Sequence, residues 1–258
     1  MFPYVNIAGR QLPAYGLCLV CGVLLAGLAA LSLGRRCRVK GEDVLFCGMY
    51  SAVGGLIGAK LGYLLAHLGE ITALYRSGAG LRQLLPLLTD SGFLSFGGLA
   101  GALTGFLLYC REFRCDRDLL ASCLIPAAPL LLACCRVGCF CAGCCYGRPW
   151  AGPLAVVNTA SPVGINGVAL FPVQLLSAGL DLLLFLLLAL PRRNSPSTCG
   201  RLLGCFLTLY SPGRFGVEFL RGDHLDHLWQ GLSRTQWVCL PALALGLWLL
   251  YRERQKAA

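Results

Sequence analysis

The sequence predicts an all-α polytopic membrane protein of about seven transmembrane helices, and three observations carry that reading. The 258 residues are 57% apolar, with a mean hydropathy of +0.68. Only 13% are charged, too few for a soluble domain of this length. Apolar runs near twenty residues recur along the chain, each long enough to cross a hydrocarbon core of about 30 Å. The spans fall at about 14–34, 44–66, 93–110, 119–134, 171–191, 202–220 and 235–251. No repeat, linker or low-complexity tract divides them, and Asn194 to Thr198 reads as an ordinary loop. Residues 1–258 therefore read as a single integral-membrane domain.

The first span begins without a basic n-region and is closed by Arg35 and Arg36, which predicts a membrane helix rather than a cleaved signal peptide. Basic residues sort by flank. One side holds thirteen: Arg35, Arg36, Arg38, Lys40, Arg111, Arg114, Arg117, Arg192, Arg193, Arg201, Arg252, Arg254 and Lys256. The other holds seven: Arg10, Arg76, Arg82, Arg136, Arg148, Arg221 and Arg234. This asymmetry predicts an outer N-terminus and a cytoplasmic C-terminus. It also accounts for the net charge of +10. No Lys/Arg run interleaved with aromatics occurs, so a nucleic-acid partner is not expected.

The second span carries Gly54, Gly55, Gly58 and Gly62, small residues that let helices approach closely. Lys60 lies among them, either snorkelling to the interface or facing a phosphate. Residues 70–90, with Leu74, Leu81, Leu84 and Leu85, read as an amphipathic arm on the membrane surface. The third span opens on Gly97-Gly98, a packing surface or a place where backbone N–H groups approach an anion. The fifth starts at Phe171-Pro172, with Pro172 at a first helical position. Gln174 follows near the interface, and Asp181 lies deeper, where a helix–helix hydrogen bond is the expected role. In the sixth span Arg214 and Glu218 are four apart and share a face, which Arg221 continues. The pair either braces the bundle or orients an arginine toward an anionic ligand, and the second reading is preferred.

The fourth span runs into Cys135 to Arg148, where two arginines, three glycines and five cysteines stand between apolar runs. Polar groups at that depth are normally paired and functional, and irregular backbone there lines a cavity. The site is expected here. Its cysteines admit packing or a disulfide among Cys139, Cys141, Cys144 and Cys145, then covalent catalysis, then metal binding, in that order. Cys141-x-x-Cys144 has metal or redox spacing, but no second separated pair accompanies it. No metal and no cofactor are therefore expected, and neither Cys139 nor Cys144 is expected to ligate a metal.

These motifs in this order resemble the phosphatidylglycerol–prolipoprotein diacylglyceryl transferase family of bacteria. Tyr15-Gly16 is similar to its early Tyr-Gly, and Gly58-Ala59-Lys60-Leu61-Gly62-Tyr63 to its Gly-Ala-Arg-Ile-Gly-Tyr. Gly97-Gly98 resembles its His-Gly-Gly, and Pro172 with Gln174-Leu175 its His-Pro-Ser-Gln-Leu. Cys135 to Gly147 aligns with Gly-Arg-Ile-Gly-Asn-Phe-Ile-Asn-Gly-Glu-x-Trp-Gly. Arg214-Phe215, Glu218-Phe219 and Arg221 follow its late Arg-Phe-x-x-Glu-Phe-x-Arg, and Gln236-Trp237 its Gln-Trp. The departures fall at the chemistry. Cys139 and Ala142 replace two asparagines, Cys144 a glutamate, and Phe96 the histidine before Gly-Gly. The chain reads as a divergent, cysteine-rich branch.

The resemblance implies a plasma-membrane transferase of lipoprotein biosynthesis. It would move a diacylglyceryl group from phosphatidylglycerol to a thiol, as on a secreted lipoprotein precursor, and release glycerol phosphate. Arg136, Arg214 and Glu218 are the implied catalytic residues. Tyr15, Lys60, Tyr63, Gly97, Gly98, Gly138, Cys139, Gly143, Cys144, Gly147, Gln174 and Arg221 are the implied substrate-binding ones. Guanidinium forks suit a phosphate leaving group, and the incoming thiol must lose its proton. His224 and His227 are candidates to take it, although a polar loop accounts for them as well. Two rival readings are a lipid-binding protein that has lost the chemistry and a membrane thiol oxidoreductase.

Overall fold

The computed structural model describes residues 3–7, 9–76, 95–162, 164–190, 197–223 and 230–257. Among them are eight helices and two small antiparallel sheets, divided between two compact units.

The first unit comprises residues 1–39 and 121–258. It opens with a hairpin of β1 (Tyr4–Ile7) and β2 (Arg10–Pro13), turned at Gly9 with φ of +79°. This hairpin precedes the first span and was not anticipated. Pro13 then caps α1 (Ala14–Arg36), whose last turn carries Arg35 and Arg36 against the negative helix end. Helices α6 (Val173–Ala189), α7 (Cys199–Glu218) and α8 (Arg234–Ala257) complete it, with a short sheet of β3 (Val156–Val157) and β4 (Ala169–Leu170). Pro172 stands one place before the helix as the cap of α6, not at its first position. Leu184 and Leu188 of α6 pack on Phe206 and Leu207 of α7 to form the core. Where α7 meets α8, a Cβ on Gly204 would lie 3.1 Å from the Gly246 carbonyl oxygen, so glycine is what permits the approach.

The second unit, residues 40–120, is dominated by α2 (Gly41–Ala66) and α4 (Ser95–Glu112), with α3 (Leu68–Arg76) between them in sequence. Gly54 and Gly58 of α2 face Gly97, Gly101 and Gly105 of α4 with the four-residue spacing of a small-residue seam. A Cβ on Gly58 would collide with the Gly97 carbonyl oxygen and lie 2.8 Å from the Gly101 Cα. Gly58→Leu is expected to force the helices apart and destabilise the protein by at least about 1–3 kcal/mol, read as earlier thermal unfolding in detergent. Parent-like unfolding would show that the seam is not close-packed. At the other end Tyr109 donates to Asp43 at 3.0 Å, and Tyr50, Tyr109 and Phe113 form an aromatic cluster.

A 26-residue helix, α5 (Arg117–Ala142), begins in the second unit and runs through the first. With α1 and α2 it is one of three helices among the described residues long and apolar enough to cross a membrane, and α6 is a shorter apolar helix. Leu24 and Leu28 of α1 and Leu56, Leu61 and Leu65 of α2 stand exposed. Apolar side chains turned outward along long helices are the pattern of a lipid-facing surface. The protein is an all-α polytopic membrane protein. Residues 77–90 of the proposed surface arm, Asn194 to Pro196, His224, His227 and the Phe96 side chain lie outside the described residues.

Candidate active site

The Cys135–Arg148 stretch begins as helix. The sequence placed the end of the fourth span at residue 134, but α5 continues to Ala142 and carries Arg136. Glycine at 138 is explained by packing rather than by a chain break: a Cβ there would lie 3.1 Å from both Tyr15 Cδ2 and Cys18 Cβ. The helix ends at Gly143, whose φ of +73° favours glycine. Cys144 N–H donates to the Cys139 carbonyl at 3.1 Å and Gly143 N–H to that of Phe140 at 3.2 Å. This is the double bond of a Schellman stop.

Beyond the stop, backbone bonds fix the loop. Arg148 N–H donates to the Leu220 carbonyl, Gly222 N–H to that of Tyr146, and Phe171 N–H to that of Arg148. Gly147 bridges Arg221, and a Cβ on Gly147 would collide with the Phe171 carbonyl oxygen. The buried Gln174 donates its amide to the Cys144 carbonyl at 2.9 Å. Ser161 donates to the last helical carbonyl, of Ala142, at 3.0 Å. Gly143, Gly147 and Gln174 thus act on the loop's position.

Arg136 meets Arg214 at a cavity of about 190 Å³ between α5, α6 and α7. Five leucines of α6 and α7 dominate its apolar wall, and Ser177, Asp181 and Tyr210 supply its other polar groups. Tyr210 hydrogen-bonds Arg136, and Asp181 is in electrostatic contact with both arginines.

Behind the cavity, Arg214 pairs with Glu218 at 2.7 Å. Ser233 donates to the second Glu218 oxygen at 2.9 Å. Arg221 stands 3.7 Å from Glu218 and forms a two-pronged bond to Asp223, at 2.9 and 2.7 Å. Glu218 is buried against these groups, so it orients Arg214.

The loop side of the site is built from sulfur. Cys139, Cys144 and Cys145 hold their Sγ atoms within 4.8 Å of one another, with Cys139 buried and the other two half-buried. Cys145 adopts a left-handed φ of +54°, uncommon outside glycine and asparagine. The Cys144 thiol donates to the Cys139 carbonyl at 3.7 Å, and the neighbouring thiols, helped by Arg221 and Arg136, hold Cys145 below the ordinary thiol range. Among the described residues no disulfide joins any of the cysteines. Cys47, Cys123 and Cys239 are buried among helices as packing residues, whereas Cys21 is exposed.

Residues 4–252 match the family model described as prolipoprotein diacylglyceryl transferase. The chain belongs to that family. The phosphatidylglycerol–prolipoprotein diacylglyceryl transferase of Clostridium tetani is 31% identical over 253 residues, 96% of each chain. A second such transferase of Clostridium perfringens is 28% identical, covering 95% of this chain and 92% of its own. That of Bordetella parapertussis is 31% identical, covering 90% and 87%.

Of the residues expected in the site of this transferase family member, the first unit brings together Arg136, Arg214, Glu218, Arg221, Cys139, Cys144, Gln174 and the loop glycines. Tyr15 joins them, packing on Gly138 and in electrostatic contact with Cys135, Cys139, Cys144 and Cys145. Lys60, Tyr63, Gly97 and Gly98 belong to the second unit. There Gly97 serves the helix seam, and Lys60 stands 5.9 Å from the Tyr63 ring centroid. Three groups of the site were missed as such. Tyr210 stands four residues before Arg214, so helical spacing already put it on that face. Asp181 is a carboxylate inside an apolar helix, a functional signal in its own right. Cys145 was read only as one of four clustered cysteines open to packing or a disulfide.

Proposed function

We propose that this chain transfers the diacylglyceryl group of phosphatidylglycerol to a cysteine thiol of a lipoprotein precursor, in a bacterial plasma membrane. The observation that supports this most is the cavity lined by two arginines and five leucines. The C–O bond at the glyceryl carbon breaks as the C–S bond forms, and the electron pair goes to the phosphate oxygen of the departing glycerol phosphate. Arg136 and Arg214 sit where that charge develops, and fixed donors aimed at developing charge lower the barrier. Tyr210 and Glu218 keep the guanidiniums aligned. Lys60, Tyr63, Gly97 and Gly98 are assigned to substrate binding on the family resemblance. The match of the family model across both units supports one transferase domain over residues 1–258.

Purified protein with phosphatidylglycerol and a lipobox peptide tests the reading by mass spectrometry. A diacylglyceryl adduct on the peptide cysteine is the expected result. Retained phosphatidylglycerol with unmodified peptide would favour a lipid-binding protein without chemistry, the reading that Phe96, Cys139 and Cys144 support by replacing the family's histidine, asparagine and glutamate.

The thirteen-to-seven asymmetry of basic residues supports seven spans, with an outer N-terminus and a cytoplasmic C-terminus. A cysteine at position 148 is expected to react with membrane-impermeant reagents from outside. Labelling only from the cytoplasmic side would reject this orientation.

A further inference from the structure

We propose that Cys139, Cys144 and Cys145 form a three-thiolate zinc site whose fourth position binds and deprotonates the acceptor thiol. The metal site stands on geometry alone, whereas its role rests on the transfer reaction proposed above. Tetrahedral sulfurs about 2.3 Å from zinc lie about 3.8 Å apart, so the cluster must contract by no more than about 1 Å. Sequence spacing argued against a metal because a closed structural site needs a distant second pair. A catalytic site does not: it takes three protein ligands and leaves one position open. Folding supplies what spacing hid. The Schellman stop and the left-handed Cys145 that follows it bring the three sulfurs within 4.8 Å of one another.

The surroundings suit the charge. Three thiolates and one Zn²⁺ carry a net −1, and Arg136 and Arg221 both act electrostatically on Cys145. Cys144 and Cys145 are half-buried, leaving the cluster accessible to an incoming ligand.

The site answers a chemical need. Glu218 is engaged by Arg214 and Ser233, and Asp181 faces two arginines. His224 and His227, the histidines of the first unit, lie outside the described residues. Cys139 and Cys144 are poor covalent carriers, because a diacylglyceryl thioether on the enzyme has no acidic leaving group to expel. Coordination achieves the deprotonation instead: a thiol bound to zinc loses its proton outright, here to water. The zinc-bound sulfur then attacks the glyceryl carbon, the C–O bond breaks, and glycerol phosphate departs as the dianion between Arg136 and Arg214. The thioether product is neutral and leaves the zinc, whose oxidation state never changes.

The decisive measurement is metal content of the full chain purified in detergent without added metal, then reconstituted with Zn²⁺ or Co²⁺. One zinc per chain is expected. Co²⁺ should give the sulfur-to-metal charge-transfer and d–d bands of a tetrahedral thiolate site. Cys144→Ser and Cys145→Ser, at half-buried positions, should each lose the metal at least 10-fold more readily to a chelator. Adding lipobox peptide should perturb the cobalt spectrum, and peptide with serine for cysteine should not. Absence of stoichiometric metal, a disulfide among the three cysteines in freshly prepared protein, or full transfer by chelated protein would overturn the zinc site. A peptide-insensitive cobalt spectrum would overturn its acceptor role. Metal and peptide binding without any diacylglyceryl adduct would leave the site standing and sink the transfer reaction.

Discussion

Arg136→Lys and Arg214→Lys are each expected to fold and to lose diacylglyceryl transfer by about 10²–10³-fold, the usual cost of removing one fixed donor from developing charge. Lysine keeps the positive charge but replaces a planar fork by a single point donor. At Arg136 the loss is geometric, because its guanidinium is held by Tyr210 while facing the cavity. At Arg214 the variant must also keep its bond to Glu218, which Arg214 now makes at 2.7 Å. Turnover and retention of phosphatidylglycerol should be measured together with thermal unfolding. Parent-like turnover by both variants would dismiss the two-arginine clamp. Unfolding of Arg214→Lys alone would make the Arg214–Glu218 pair a brace and nothing more.

The second large effect concerns stability. Glu218→Ala is expected to destabilise the protein by about 3–5 kcal/mol, because removing one partner strands a buried charge. The carboxylate is buried, pairs with Arg214 and accepts from Ser233, which lies at the start of α8. Its loss frees two helices at once. Glu218→Gln keeps an acceptor for Ser233 and the side-chain volume, so it should fall between the parent and the alanine variant. Detergent unfolding curves that place Glu218→Ala with the parent would contradict this account.

Sequence reasoning went furthest where one helix carries the whole signal. Arg214 and Glu218 lie four residues apart, and that spacing alone paired them on one face, as the structure has them. Arg221 was expected to continue that face but lies beyond the end of α7, in a β-bridge with Gly147, and stands 3.7 Å from Glu218 from there. It failed at Cys135–Ala142. Glycine, arginine and clustered cysteine read as irregular backbone, yet Gly138 is where Tyr15 and Cys18 press on a continuing helix. The same difficulty applies to Gly97: a glycine for close helix packing and one for anion binding look alike until the partner is seen. Asp181 and Tyr210 were legible as residues but not as a site, because they meet Arg136 only when α5, α6 and α7 pack together. The sulfur cluster was the hardest to read. Its convergence depends on one helix stop and one left-handed residue, neither visible in spacing.

The Tyr146–Trp150 segment is hemmed by main-chain bonds to Leu220, Ala169 and Phe171, and Gln174 grips the carbonyl of Cys144, not its sulfur. Such a frame is indifferent to what its side chains are. A lineage can then exchange asparagine and glutamate for cysteine while the loop keeps its place. The reagent evolves separately from the holder. Returning Cys139 to asparagine and Cys144 to glutamate would on this view alter the chemistry and spare the architecture, so one membrane scaffold is open to two ways of preparing a thiol.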